Sequence, residues 1–201
     1  MANAVGPRGF VPSRYLDASS WNGASNMYYI PSTDGSQFNV GDPVKAVATG
    51  DTNGVPGVQK AAGTDTVRGV IVGVLAANPN DPSLVGINLD LTIQNIPATK
   101  TKAYYVMVAD DPQIIYEVQD DGAAVLDATA CNKNASFIVA NPTAPQQNSA
   151  SSLSAASVAT TQGLNLRILG LAQKPNNAFG VYATWLVKFN QHELMGNTAG
   201  V

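Results

Sequence analysis

From Met27 onward, short apolar runs rich in β-branched and aromatic residues alternate with turn-forming residues, a pattern that predicts strands and not helices. The runs predict strands over 27–30, 43–48, 56–60, 66–75, 84–93, 103–109, 113–119, 135–140, 164–172 and 180–189. Within 84–93, Val85, Ile87, Leu89, Leu91 and Ile93 take one face, and Asn88, Asp90 and Thr92 the other. Within 164–172, Leu164, Leu166 and Ile168 oppose Asn165 and Arg167 in the same way. Strands of this kind suit antiparallel sheets with one wet face. The connectors carry TDG, GD, TNG, NPNDP, DDP and KPNN, whose Gly, Asn, Asp and Pro supply the dihedrals of tight turns. No convincing helical run of ten or more residues interrupts this pattern, which disfavours α/β and TIM-type enzyme folds. The expected fold is all-β, an antiparallel β-sandwich or β-barrel of jelly-roll or tulip-like type spanning 26–201.

Two segments depart from the alternation. Residues 1–25 mix Gly, Pro, Ser and Asn with the large side chains Phe10, Val11, Tyr15, Leu16 and Trp21, and show neither period 2 nor period 3.6. They read as an extended N-terminal arm whose apolar anchors lie on the protein's own surface or on a neighbour's. Arg8, Phe10, Val11, Arg14, Tyr15 and Trp21 are therefore the candidate contacts to a partner, and deletion of 2–20 is expected to leave a folded β-domain. Residues 141–163 (NPTAPQQNSASSLSAASVATTQG) are polar and small, too poor in apolar groups for a core strand of their own. They read as a variable loop with one short helical turn around 153–159, serving either as a contact loop or as a plain surface excursion.

Composition sharpens this picture. Only 12% of the 201 residues are charged, about half the roughly 25% of an ordinary globular domain. A weakly charged, Asn/Ser/Thr-rich surface suits a protein that buries much of that surface against other subunits. The chain is long enough for one core, or for two small β-modules sharing an interface. Eleven basic residues against fourteen acidic ones give a net charge of −3, and the basic ones are scattered along the sequence. That is not the clustered footprint of a nucleic-acid binder. With one cysteine, Cys131, no intramolecular disulfide framework is possible, which fits assembly in a reducing cytoplasm. The N-terminal residues have no apolar signal core and no stretch approaches a membrane span, so neither secretion nor a membrane partner is expected.

Chemistry is sparse. His192 is the one imidazole and follows the last predicted strand, while Cys131 lies in a turn, so no Ser/His/Asp or Cys/His arrangement is expected. One His and one Cys are too few for zinc, and Asp110-Asp111-Pro112 and Asp120-Asp121-Gly122 read as turns rather than calcium loops. Phosphate-loop, nucleophile-elbow and dinucleotide motifs are missing from the sequence. The reading is a non-enzyme with no catalytic residues, no metal and no cofactor.

The blocks GPRGFVPSRYLDASSWNG (6–23), YYIPSTDGSQFNVGDPVK (28–45), RGVIVGVL (68–75), YYVMVADDPQIIYEVQ (104–119), LNLRILGLAQKPNN (164–177) and WLVKFNQHEL (185–194) resemble the capsid decoration (cement) proteins of tailed phages. VADDPQIIYEVQ and WLVKFNQHEL are the more specific parts. The resemblance implies a virion structural protein with no active site, bound to the outside of an icosahedral capsid and bridging major capsid subunits. It implies the phage major capsid protein as a partner, and a dimer or trimer of the chain on a capsid symmetry axis fits the closed symmetry usual for such modules. Other readings are a tail, fibre or receptor-binding module of a virion, or a jelly-roll carbohydrate-binding protein with a cleft lined by Trp21 or Trp185.

Overall fold

Alternation along each strand decides which side chains it buries, and here the strands assort around two separate clusters of apolar residues. The computed structural model describes residues 3–75, 95–144 and 146–195. In chain order the strands are β1 (Val11–Tyr15), β2 (Asn26–Ile30), β3 (Phe38–Asn39), β4 (Pro43–Gly50), β5 (Pro56–Lys60) and β6 (Gly69–Leu75). They continue with β7 (Asn95–Ile96), β8 (Tyr104–Ala109), β9 (Ile114–Gln119), β10 (Asn134–Ala135) and β11 (Phe137–Ile138). The last are β12 (Ser152–Leu153), β13 (Leu166–Leu171) and β14 (Thr184–Phe189). The fold is all-β, and among the described residues strand pairs with strand antiparallel except for β2 and β5, where Tyr29 and Gly57 pair in parallel, with isolated parallel bridges besides. The strand predicted over 84–93 lies outside the described residues.

β2, β5, β4, β6 and β8 close into a five-stranded barrel, with β2 and β8 joined along five registered pairs. Its interior holds Tyr28, Ile30, Phe38, Val44, Val58, Ile71, Val74, Ile96, Val106 and Val108. β1, β9, β14, β13 and β10 form an open five-stranded sheet in that order. The inward residues of this sheet, among them Ile114, Tyr116, Val118, Trp185, Val187, Phe189, Leu166 and Ile168, build the second and larger core.

Residues 10–15 are part of that sheet and not a free arm. Phe10 is 1% exposed and packs among Tyr116, Phe137 and Phe189 at ring-centroid distances of 6.4, 5.7 and 5.2 Å. The segment looked aperiodic because a β-bulge between Pro12 and Arg14 inserts Ser13 into an otherwise regular alternation. With that residue discounted, Phe10, Pro12 and Tyr15 point inward and Val11 and Arg14 outward. Deletion of 2–20 would remove an aromatic from the core and a strand from the sheet, so the expectation of an intact truncated domain does not hold.

The polar segment 141–163 is also tied down. Ser149 and Ser151 are fully buried, and their hydroxyls donate to the buried Asp42 carboxylate at 2.5 and 3.1 Å. Leu153 in β12 is fully buried, pairs with Phe137, and leads into a 3-10 turn over Ala155–Ser157 where a helical turn was expected. The hydroxyls find a buried anion, which is how so polar a stretch enters the interior. The predicted strand 135–140 splits into β10 and β11, which pair with β13 and β12 respectively.

Barrel and sheet meet along a polar seam. Tyr28 donates its hydroxyl to Asp110 at 2.6 Å, Asn26 donates to the same carboxylate, and Tyr116 donates to the Ala109 carbonyl at 2.9 Å. Beyond β14 the chain runs onto the barrel: Val67 and His192 form a parallel bridge, and Glu193 accepts from the Ala46 amide and pairs with Arg68. Near this seam, Gly9 at φ +69° faces Gly41, and a Cβ built on Gly9 would stand 2.4 Å from the Gly41 carbonyl oxygen and 2.6 Å from Ser149 Cβ.

Candidate interaction face

The six residues nominated in the N-terminal segment divide by the face of β1 they occupy. Phe10 is in the core, and Tyr15 and Trp21 pack partly buried against the same cluster. Trp21 donates its indole N–H to the Ala24 carbonyl at 3.3 Å. Phe10 is closed off from any partner by its burial, whereas Tyr15 and Trp21 keep part of their surface exposed. Arg8, Val11 and Arg14 are exposed on the other side, and this is where a partner surface could be met.

Among the described residues, both edges of the five-stranded sheet are partly paired by the chain itself. On the β1 edge, Phe10 N–H donates to Gly41, Tyr15 N–H donates to Ser19, and the Ser13 carbonyl accepts from Trp21. On the β10 edge, Asn134 and Ala159 exchange both backbone hydrogen bonds at 2.8 and 2.9 Å. The chain covers part of its own edges, which suppresses strand addition and aggregation. Between these edges lies the outward face of the sheet.

That face includes an open groove lined by Gly6, Arg8, Val11, Glu117, Gln119 and Lys174. Gln119 holds the incoming N-terminal segment on it, accepting from Gly6 N–H at 2.9 Å and donating to the Ala4 carbonyl at 2.9 Å. Lys174 and Glu117 form an ion pair across the floor. Asn3 extends the contact by donating to Ala178 and Val181 at 2.9 Å each. Arg167, Lys174 and Lys188 were not nominated from the sequence. The alternation in 164–172 already put Arg167 opposite the buried leucines, and the same logic applied to 185–189 puts Lys188 outward; what the sequence lacked was the pairing order that sets them beside Arg14.

The remaining polar groups are structural. Asp120, 2% exposed, accepts from the backbone amides of Gly122, Tyr182 and Ala183 and from the Trp185 indole. Trp185 is therefore fully buried and lines no cleft. Asp42 receives Lys60 at 2.9 Å and the Asn39 amide at 2.9 Å besides the two serines. His192 is 1% exposed, and its Nδ1 accepts from the Leu194 amide at 3.1 Å. Burial lowers its pKa from 6.5 to about 4, so it is a neutral seam residue at ordinary pH. Cys131 caps a 3-10 turn over Ala128–Ala130, and no hydrogen bond links it to His192 among the described residues. No group of three or more His, Cys, Asp or Glu side chains gathers in metal-binding fashion among the described residues.

Compared with known proteins, the chain matches no family model, and no curated protein or solved structure is significantly similar to it.

Proposed function

We propose that this chain is a structural, non-enzymatic β-protein that docks on a repeating protein lattice, as a cement protein on the outside of a phage capsid. The observation that carries this reading is the partial closure of both sheet edges by the chain itself beside an outward face bearing Arg8, Val11 and Arg14. Such a protein associates by face rather than by strand exchange, which suits reversible, stoichiometric seating on identical sites where many weak contacts act together. The buried polar groups act in the same direction: Asp42, Asp110 and Asp120 are spent on holding loops and modules in place. The assignment to a phage capsid, rather than to another lattice, rests on the sequence resemblance in 104–119 and 185–194.

Among the alternatives, a carbohydrate-binding platform built on the two tryptophans has little support, because Trp185 is in the core and Trp21 packs against it. A receptor-binding or tail module would use the same outward face and differs in its partner. The deciding experiment mixes the purified chain with phage capsids lacking their decoration protein. Co-sedimentation saturating at a lattice-defined stoichiometry is the expected result, and no co-sedimentation at any concentration overturns the capsid assignment.

A further inference from the structure

The strand register places three cations in one line across the outward face of the five-stranded sheet. Arg14 on β1 is opposite Ile115 on β9, which is itself buried, and Arg167 on β13 is directly opposite Lys188 on β14. The β9–β14 register runs Leu186 with Glu117 and Val187 with Tyr116, so its next position sets Lys188 beside Ile115. Arg14, Ile115, Lys188 and Arg167 thus form a single row over four strands, about 14 Å long at the usual strand spacing.

Among the described residues no carboxylate compensates this charge. Arg14, Lys188 and Arg167 make no ion pair among the described residues, whereas Lys45, Lys60, Arg68 and Lys100 in the barrel all do. The polar contacts of the row are to neutral groups: Arg167 donates to the Asn132 carbonyl at 3.1 Å, and Lys188 Nζ lies 3.7 Å from Met195 Sδ. Two like charges directly opposite on neighbouring strands cost stability. Lys188 is also half-buried, and its desolvation, which lowers its pKa, has no carboxylate to offset it. A fold that keeps an unpaired cationic row at some cost has a use for it outside the chain.

We propose that this row is the recognition element for an acidic protein surface, with carboxylates spaced to meet Arg14, Lys188 and Arg167. This rests on the docking reading above and names the chemistry of the partner. The adjacent row favours protein over nucleic acid: beside the Glu117–Lys174 ion pair it presents exposed Val11 and half-buried Leu186, apolar groups that suit a protein surface and offer nothing to a phosphate backbone. Arg8 in the flanking groove extends the positive potential toward the N-terminal segment.

The test compares the wild-type chain with the Arg14→Gln/Arg167→Gln/Lys188→Gln variant for binding to a fluorescent poly-glutamate peptide and to undecorated capsids. The exposed-site variant Arg14→Gln serves as a fold-safe partner, and Lys102→Gln in the barrel, which also removes one charge, as the control for that single variant. Wild type should bind the peptide with an affinity that falls as salt rises, and the triple variant should bind about tenfold or more weakly. Its melting temperature should be unchanged or higher, because a like-charge repulsion has been removed. Undiminished binding by the triple variant overturns the proposal, as does a loss in Lys102→Gln equal to that in Arg14→Gln. Tighter binding to duplex DNA than to the peptide overturns the acidic-protein assignment. Capsid binding that survives the triple substitution sinks the row while leaving the docking function standing. Peptide binding that depends on the row, without capsid binding by wild type, supports the row and removes the capsid as its lattice.

Discussion

In the barrel, Lys45, Lys60, Arg68 and Lys100 each meet a carboxylate, and Lys102 stands 5.7 Å from the centroid of the Tyr104 ring. In the sheet region only Lys174 is ion-paired, while Arg8, Arg14, Lys133, Arg167 and Lys188 have no ion pair among the described residues. The same basic side chains therefore do two jobs. Around the barrel they fix turns and seal the junctions with neighbouring segments, and on the sheet they leave one face positive in a protein of net charge −3. On the proposed reading, the uncompensated face is the one that meets an acidic partner.

The sheet's stability should reside on its inward side, and the largest effect tests that. Phe10→Ala removes a fully buried ring from an aromatic cluster and should cost about 3–5 kcal/mol, measured by urea unfolding. A cost below about 1 kcal/mol would return Phe10 to a surface role.

Next, Lys60→Met strips the cation from the fully buried Asp42 carboxylate and should cost about 3 kcal/mol. Thermal melting of this variant beside Arg167→Gln sharpens the contrast between the two regions directly. Comparable losses in both would erase it.

A pH effect of similar size belongs to the seam. His192 is held neutral in the fold, with its pKa lowered from 6.5 to about 4, whereas the unfolded chain takes up the proton below pH 6.5. Stability should therefore fall as pH drops from 6.5 to about 4 and change no further on this account below that, a loss of about 3 kcal/mol in all. His192→Gln should flatten that slope in denaturant titrations between pH 7 and pH 4. An unchanged slope would show that other groups carry the acid sensitivity.

The smallest effect has the opposite sign. Arg167→Gln relieves the cross-strand repulsion with Lys188 and should raise stability by a few tenths of a kcal/mol, about the size of one cross-strand pair. A clear loss of stability would mean that Arg167 is needed by the fold and is not held in reserve for a partner.

The amino-acid pattern by itself determined the all-β class and most strand positions, because period-2 alternation and turn residues are local properties that survive any later packing. β2, β4, β5, β6, β8, β9, β13 and β14 all fall within a residue or a few of their predicted spans. Three things waited for the tertiary structure. The bulge at Ser13 breaks alternation by one residue, so β1 looked like an arm until its pairing with β9 was seen. The serines of 141–163 looked like solvent-facing loop, since the carboxylate that draws them inward, Asp42, lies 107 residues away from Ser149 in sequence. The row Arg14, Lys188 and Arg167 joins the first strand to the last two, and only the strand order sets Arg14 in line with the other pair. Periodicity tells which way a side chain points within its own strand; which strands become neighbours is settled by the burial of two cores at once, and that is a property of the whole chain.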